Sequence, residues 1–205
     1  MERRFAIIGH RAPSSGKLNL NDLAGASGRL DVLVRAVNTG LFLSHGIRED
    51  SDVTLHLLGG PGPVRRIWFQ GSALKGVHPD ERALAGQIGK ALKEPVPAIG
   101  HLVELHHGLW HAGGGVAQTI SEWRKEGVRL YVLDADAAEY IPDQDEKVGF
   151  FLSDDQPFTD EDEEAMEGLE RVSLGGSWLQ GHACIAILHH ILDQGSQTGN
   201  PESSD

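Results

Sequence analysis

Leu174-Gly175-Gly176-Ser177-Trp178-Leu179-Gln180-Gly181-His182-Ala183-Cys184-Ile185-Ala186-Ile187-Leu188-His189-His190-Ile191-Leu192-Asp193 is the stretch on which the fold reading turns. A short strand over 171–174 runs into a glycine-rich turn and then into a helix that is apolar nearly all round. Glycine lacks a Cβ and lets backbone approach a ligand closely, whereas a helix without a polar face has to be buried. The pattern is therefore a ligand-type loop followed at once by a core helix.

Upstream, strands alternate with helices. Residues 4–9 read as a strand, and Leu30, Leu33, Val34, Val37 and Leu41 follow the i, i+3, i+4, i+7 rhythm of an amphipathic helix. Residues 53–58 alternate as a strand, Gly59-Gly60-Pro61-Gly62-Pro63 is a turn, and 66–69 form another strand. Pro79 suits the first turn of a helix to about Lys93. Residues 102–105 and 109–111 make a hairpin-like excursion, and Gly113-Gly114-Gly115 opens a helix through Glu126. Strands at 129–133, 148–152 and 171–174 follow, with a helix from Thr159 between the last two. This order predicts a largely parallel α/β sheet covered on both faces. Residues 195–205 are Gly, Ser, Asn, Pro and acid, the composition of a disordered tail.

The chain has 205 residues, 40% apolar and 23% charged, enough for one domain with a sizeable core. Met1-Glu2-Arg3-Arg4 is followed by only a strand-length apolar run, so no signal peptide is expected, and no run approaches the roughly 20 apolar residues of a membrane span. One cysteine excludes an internal disulfide framework and a cysteine-based zinc site. These features predict a cytoplasmic protein with no membrane partner. Net charge is −12, which alone argues against nucleic acid, since phosphate contacts need Lys and Arg. The acid, however, piles up from Asp154 to Glu170 and in the tail. Arginines recur early, at 3, 4, 11, 29, 35, 48, 65, 66 and 82.

Further segments make a comparison specific. Gly28-Arg29-Leu30-Asp31-Val32-Leu33 leads into Phe42-Leu43-Ser44-His45-Gly46-Ile47-Arg48, and Pro79-Asp80-Glu81-Arg82 and Phe151-Leu152-Ser153-Asp154 follow. In this order and spacing, with the C-terminal loop, they resemble the TrmY family, archaeal SPOUT enzymes that methylate N1 of a pseudouridine in the tRNA T-loop. The resemblance runs from about Arg3 to Asp193. It implies a SPOUT-type α/β knot: a mostly parallel sheet, helices on both faces, and a C-terminal trefoil knot beneath the S-adenosylmethionine (SAM) pocket. Residues 1–194 would form a single methyltransferase domain. It also implies a homodimer, with the C-terminal helix and Trp178 as candidate interface elements; Trp178 reads equally well as core.

Ligands of open α/β sheets bind at the carboxyl ends of strands, here Leu133-Asp134-Ala135, Leu152-Ser153-Asp154 and Leu174-Gly175-Gly176. Taken alone these are ordinary turns. By resemblance Leu133, Leu152, Gly175, Gly176, Leu179 and Cys184 line the SAM pocket, held mainly through backbone groups. Two residues depart from the family pattern: Gly176 stands where proline is usual, and Asp155 where histidine is common.

Methylation of N1 needs an acceptor for its proton and cations for the RNA backbone. The family's ribosomal relatives carry a similar Arg-x-Asp pair. Asp31 is the candidate to accept from or orient the base, with His45 or water as alternatives, and Arg29, Arg48 and Arg82 are candidate RNA contacts. Residues alone also allow Asp31 as a helix-start charge and Arg29 as a surface residue. Cys184 reads as packing, because attack of a nitrogen on a sulfonium needs no covalent intermediate. Thr159-Asp160-Glu161-Asp162-Glu163-Glu164 reads as a capped, solvated helix start. The eleven histidines lack the His-Glu-x-x-His pattern, no P-loop is present, and no metal is expected. The expected partner is pseudouridine-containing tRNA rather than DNA. The alternatives are another RNA base, as in ribosomal RNA, or a non-catalytic SAM- or RNA-binding paralogue.

Overall fold

The structure, a computed structural model, describes residues 1–143 and 146–195. In chain order it runs β1 (Glu2–Pro13), α1 (Leu30–Leu41), β2 (Phe42–Leu43), β3 (Gly46–Ile47), β4 (Ser51–Gly59) and β5 (Arg65–Gln70). Then come α2 (Glu81–Ala91), β6 (Val103–His106), β7 (Leu109–Gly113), α3 (Val116–Lys125) and β8 (Arg129–Leu133). The last elements are β9 (Lys147–Ser153), α4 (Asp160–Ala165), β10 (Glu170–Val172) and α5 (Gly181–Gly195). Of the expected tail, only Gly195 falls within the described residues.

The sheet order is β10-β8-β9-β1-β4-β5-β7-β6. From β10 to β4 every pairing is parallel; from β4 to β6 every pairing is antiparallel. The sheet is therefore mostly parallel, with an antiparallel flank. β1 lies inside the parallel part, between β9 and β4, and is buried from Arg3 through Gly9. That position explains why its apolar run does not alternate: both faces meet protein.

One face carries α1, α2 and α5 over Phe5, Ile7, Val53, Leu55, Ile67 and Phe69. The other carries α3 and the Met166 end of α4 over Ala6, Ile8, Leu130, Val132 and Phe151. Across three strands, Tyr131, Phe150 and Phe5 share a register row and stack at 5.5 and 5.9 Å. His189 of α5 sets its ring edge against Phe5 at 5.1 Å. His189 Nε2 lies 3.1 Å from the Gly40 carbonyl and Nδ1 lies 3.2 Å from Arg3, which fixes a neutral ring donating from Nε2.

Three sequence expectations need correction. α5 is not buried all round: Gly181, Ile185, Leu188, His189 and Leu192 face inward, while Ala186 and His190 are exposed and Ile187 and Ile191 half-covered. The reason is that one chain supplies protein on only one side of this helix. Trp178 is 79% exposed, which removes its core reading. α2 starts at Glu81 with Asp80 as N-cap, its carboxylate accepting from the Ala83 amide, so Pro79 precedes the helix. The two-residue strands β2 and β3 were not foreseen; they form a hairpin around Ser44 and His45.

Candidate functional site

At the carboxyl ends of β8, β9 and β10 lies a cavity of about 500 Å³, within the range of small-molecule sites. Its walls are residues 133–135, 152–158 and much of 172–184. Backbone bonds pin these connections to the sheet. Asp134 donates to the Val172 carbonyl at 3.0 Å, Asp154 to Ile8 at 3.0 Å, and Tyr140 to Ser173 at 2.8 Å. Gly175 has φ +105°, a region L side chains avoid, and a Cβ there would meet nothing within 4 Å. The loop is thus shaped for a glycine and left open towards the cavity.

Of the residues singled out from sequence, Leu133, Leu152, Gly175, Leu179 and Cys184 all line this cavity. Gly176 shares the loop but is not on the wall. The Cys184 thiol sits 3.9 Å from the Leu179 carbonyl, and burial pushes its pKa up, so it stays a protonated packing group. Arg171 bridges Asp134 (3.0 Å) and Glu163 and closes one side.

The rim is charged. Asp155 accepts from Arg11 and, at 2.9 Å, from Arg29 Nη1. Arg29 also grips Asp31 with two donors, at 2.9 and 3.3 Å, and Arg35 binds the same carboxylate. Partial burial would raise the Asp31 pKa, but the hydrogen bonds from Arg29 and the charges of Arg29 and Arg35 outweigh it and hold it below the usual carboxylate range. Asp155 is likewise held low: burial opposes, Arg11 and Arg29 prevail.

Arg29 caps α1 at φ +61°, the only non-glycine residue with positive φ among the described residues. Such a conformation costs about 1–3 kcal/mol and concentrates at functional sites. Gly28 before it also has φ +61°, and a Cβ there would lie 2.0 Å from the Arg11 carbonyl oxygen. Two left-handed residues in succession turn the chain into α1 and aim Arg29 back at the cavity rim. The structure thus brings Arg29 and Asp31 to the pocket, with Asp155 as the link.

Arg82 bonds Asn21 Oδ1 at 3.1 Å and follows Glu81, whose carboxylate lies 3.9 Å from Arg35. Arg48 lies elsewhere, at the amino end of β4, gripping Asp193 at 2.9 Å. His45 sits beyond the carboxyl end of α1, whereas Asp31 is in its first turn, with about 15 Å of helix between Asp31 and that end. Neither joins the pocket within one chain.

Sequence reasoning missed His10, just past the last β1–β9 pair. Its Nδ1 lies 2.9 Å from Asp154 Oδ1 and its Nε2 2.8 Å from Asp162 Oδ2. Hydrogen bonds to Asp154 and Asp162 raise its pKa to about 9 against the opposing effect of burial. A lone histidine at a strand end carries no pattern that would have found it. Arg11 and Arg35 had no signal beyond being early arginines.

A half-open cavity at three parallel strand ends, walled by their connections, defines a ligand-binding α/β protein of the open-sheet class. Comparison with known proteins narrows this. The model of a family described as "Putative SAM-dependent RNA methyltransferase" matches residues 2–197. A protein of Haloarcula marismortui named tRNA (pseudouridine(54)-N(1))-methyltransferase is 41% identical over 196 residues, 93% of this chain and 96% of that one. A Haloferax volcanii protein of the same name is 40% identical, over 93% and 96% of the two chains. The chain belongs to this family of SAM-dependent RNA methyltransferases. Among solved structures, Archaeoglobus fulgidus Nep1 bound to S-adenosylhomocysteine matches with a TM-score of 0.70. The match covers 96% of this chain and 100% of that one at 12% identity, a likeness of fold.

Proposed function

We propose that the protein methylates N1 of a pseudouridine in the tRNA T-loop, using SAM. The observation that carries the reading is the meeting, at Asp155, of the strand-end cavity with the Arg29–Asp31 pair. The printed names of the relatives favour tRNA over ribosomal RNA as substrate.

The cavity's volume, its open glycine at 175 and its apolar walls at Leu133, Leu152, Leu179 and Cys184 fit a bent nucleoside ligand. Gly176 shapes the turn behind the wall. When bound, SAM supplies an electrophilic methyl group. Asp31 accepts a hydrogen bond from N1–H and sets the plane of the base. Held at low pKa by two arginines, it orients the base while the proton leaves to water. Arg29 and Arg82 hold phosphates, and a phosphate at Arg29 competes with Asp155 for the guanidinium. Arg48, committed to Asp193, is left out of this surface.

The same reading includes a C-terminal trefoil knot, a single methyltransferase domain over 1–194, and a cytoplasmic homodimer. The half-covered outward side of α5 and exposed Trp178 and Leu179 support the dimer contact. No helix among the described residues is long and apolar enough to cross a membrane.

The test begins with calorimetry against SAM and S-adenosylhomocysteine. One ligand per chain at about micromolar Kd, roughly −8 kcal/mol, is expected. T-arm RNA carrying pseudouridine should then accept methyl, and the same RNA with uridine should not, because uridine has carbon at the equivalent ring position. No cofactor binding, or equal methylation of both RNAs, overturns the proposal.

A further inference from the structure

We infer that His10 is a positioning residue for methyl transfer: by bridging Asp154 and Asp162 it holds the 152–158 connection in the shape that both cradles the cofactor and presents Asp155 to Arg29. The inference rests on the cofactor reading of the cavity given above.

The geometry is that of a strap. Asp154 (side chain 0% exposed) and Asp162 (4%) are withdrawn from water, and His10 (10%) lies between them. Both ring nitrogens face carboxylate oxygens, so both donate, and the ring is an imidazolium. The His10 amide adds a third bond, to Asp154 Oδ2 at 2.9 Å. On the cavity side, Asp154 Oδ1 also accepts from the Gln156 amide at 2.9 Å, which sets the turn carrying Asp155. On the helix side, Asp162 Oδ2 also accepts from the Thr159 amide (2.8 Å) and hydroxyl (2.7 Å) that start α4.

From α4 to α1 a continuous polar chain results: Thr159, Asp162, His10, Asp154, then Asp155, Arg29 and Asp31. The cofactor connection is its midpoint. Without the imidazolium, two buried carboxylates would lose their shared cation, and the connection would relax away from them. The other charged groups near the ring are Arg11 and Asp155 on adjoining stretches and His56 of β4, which feels Asp162. His56 is buried and pushed down to about 3, by burial first and by Arg66 second, so it stays neutral and does not substitute for the His10 charge.

The experiment measures S-adenosylhomocysteine affinity by calorimetry from pH 7 to pH 10, for wild type and His10→Gln, with a thermal melt at every pH. At pH 7.5 the variant should bind about ten-fold to a hundred-fold more weakly while still melting cooperatively. Wild-type affinity should fall as pH rises through about 9, and the variant should lack that step. Titration of the ligand's own amino group appears in both profiles and cancels in the comparison. Superimposable profiles overturn the inference and leave the cofactor site standing; absence of wild-type binding at pH 7.5 removes the site itself. Should His10→Gln fail to fold, Asp162→Asn serves: removing one carboxylate should lower the pH at which affinity falls, and an unmoved midpoint overturns the inference.

Discussion

Asp31 carries two loads in this molecule. It orients the base in the proposed reaction, and it neutralises Arg29 and Arg35 at the start of α1. Asp31→Ala should therefore lower kcat by about 100-fold or more, as expected when the group that orients the reacting base is lost. SAM affinity should change little, because Asp31 is not on the cavity wall. Single-turnover methylation of T-arm RNA, alongside calorimetry, checks this; full turnover removes the role. The pair was legible in the sequence because an arginine and an aspartate two apart at a helix start form a compact unit. Its link to the pocket was not. Asp155 was visible only as a departure from the family pattern, and the contact to Arg29 spans 126 positions. His10 was less legible still, since its meaning depends wholly on two carboxylates more than 140 positions away.

At the scale of elements, periodicity and punctuation gave most of the order. The α1 stripe falls where its apolar spacing put it, and Leu30, Leu33, Val34, Val37 and Leu41 are all buried. Elements governed by partners rather than local pattern went astray. β2 and β3 are too short to alternate, and the apolar circumference of α5 gave no hint that half of it would lack cover. The acidic run at Thr159 read as a solvated cap; it is a full capping box, yet Asp162 is 96% withdrawn from solvent because His10 needs it. Thr159→Ala removes one acceptor and one donor from that box and should cost about 1–2 kcal/mol of stability. Urea unfolding at neutral pH measures it. A cost near zero would mean that Asp162 and His10 hold α4 without the threonine.

For the whole molecule, the loss of stability towards acid is led by two buried histidines. Burial, then Arg66, pushes His56 down to about 3; burial, then Arg48 and Arg3, pushes His189 down to about 4. Both are lowered in the folded state, so their contribution is complete above the unfolded value of about 6.5 and is lost as pH falls below it. Asp52, raised to about 6 by burial, acts in the opposite sense over part of that window, and His10, raised to about 9 by its carboxylates, gains a little more as pH falls to the unfolded value; the two buried rings outweigh both. The melting temperature should accordingly drop by several degrees between pH 7 and pH 5, read by calorimetric or circular-dichroism melts. A flat profile would contradict the buried neutral state of these rings. The acidic net charge misled less than it threatened to. Many acids are consumed pairing arginines, as Asp31 is by Arg29 and Arg35 and Asp155 by Arg11 and Arg29.

The interior position of β1 has a consequence for synthesis. This strand leaves the ribosome before the rest of the sheet, and β4 follows soon after to cover one edge, but the other edge belongs to β9, about 145 residues later. At roughly 5–20 residues per second, the nascent chain carries an apolar strand with an open edge for on the order of 10 seconds. The sheet's earliest strand is among the last to be completed, and slow or paused translation across residues 60–147 lengthens the time in which that edge can pair with a neighbour on the same polysome.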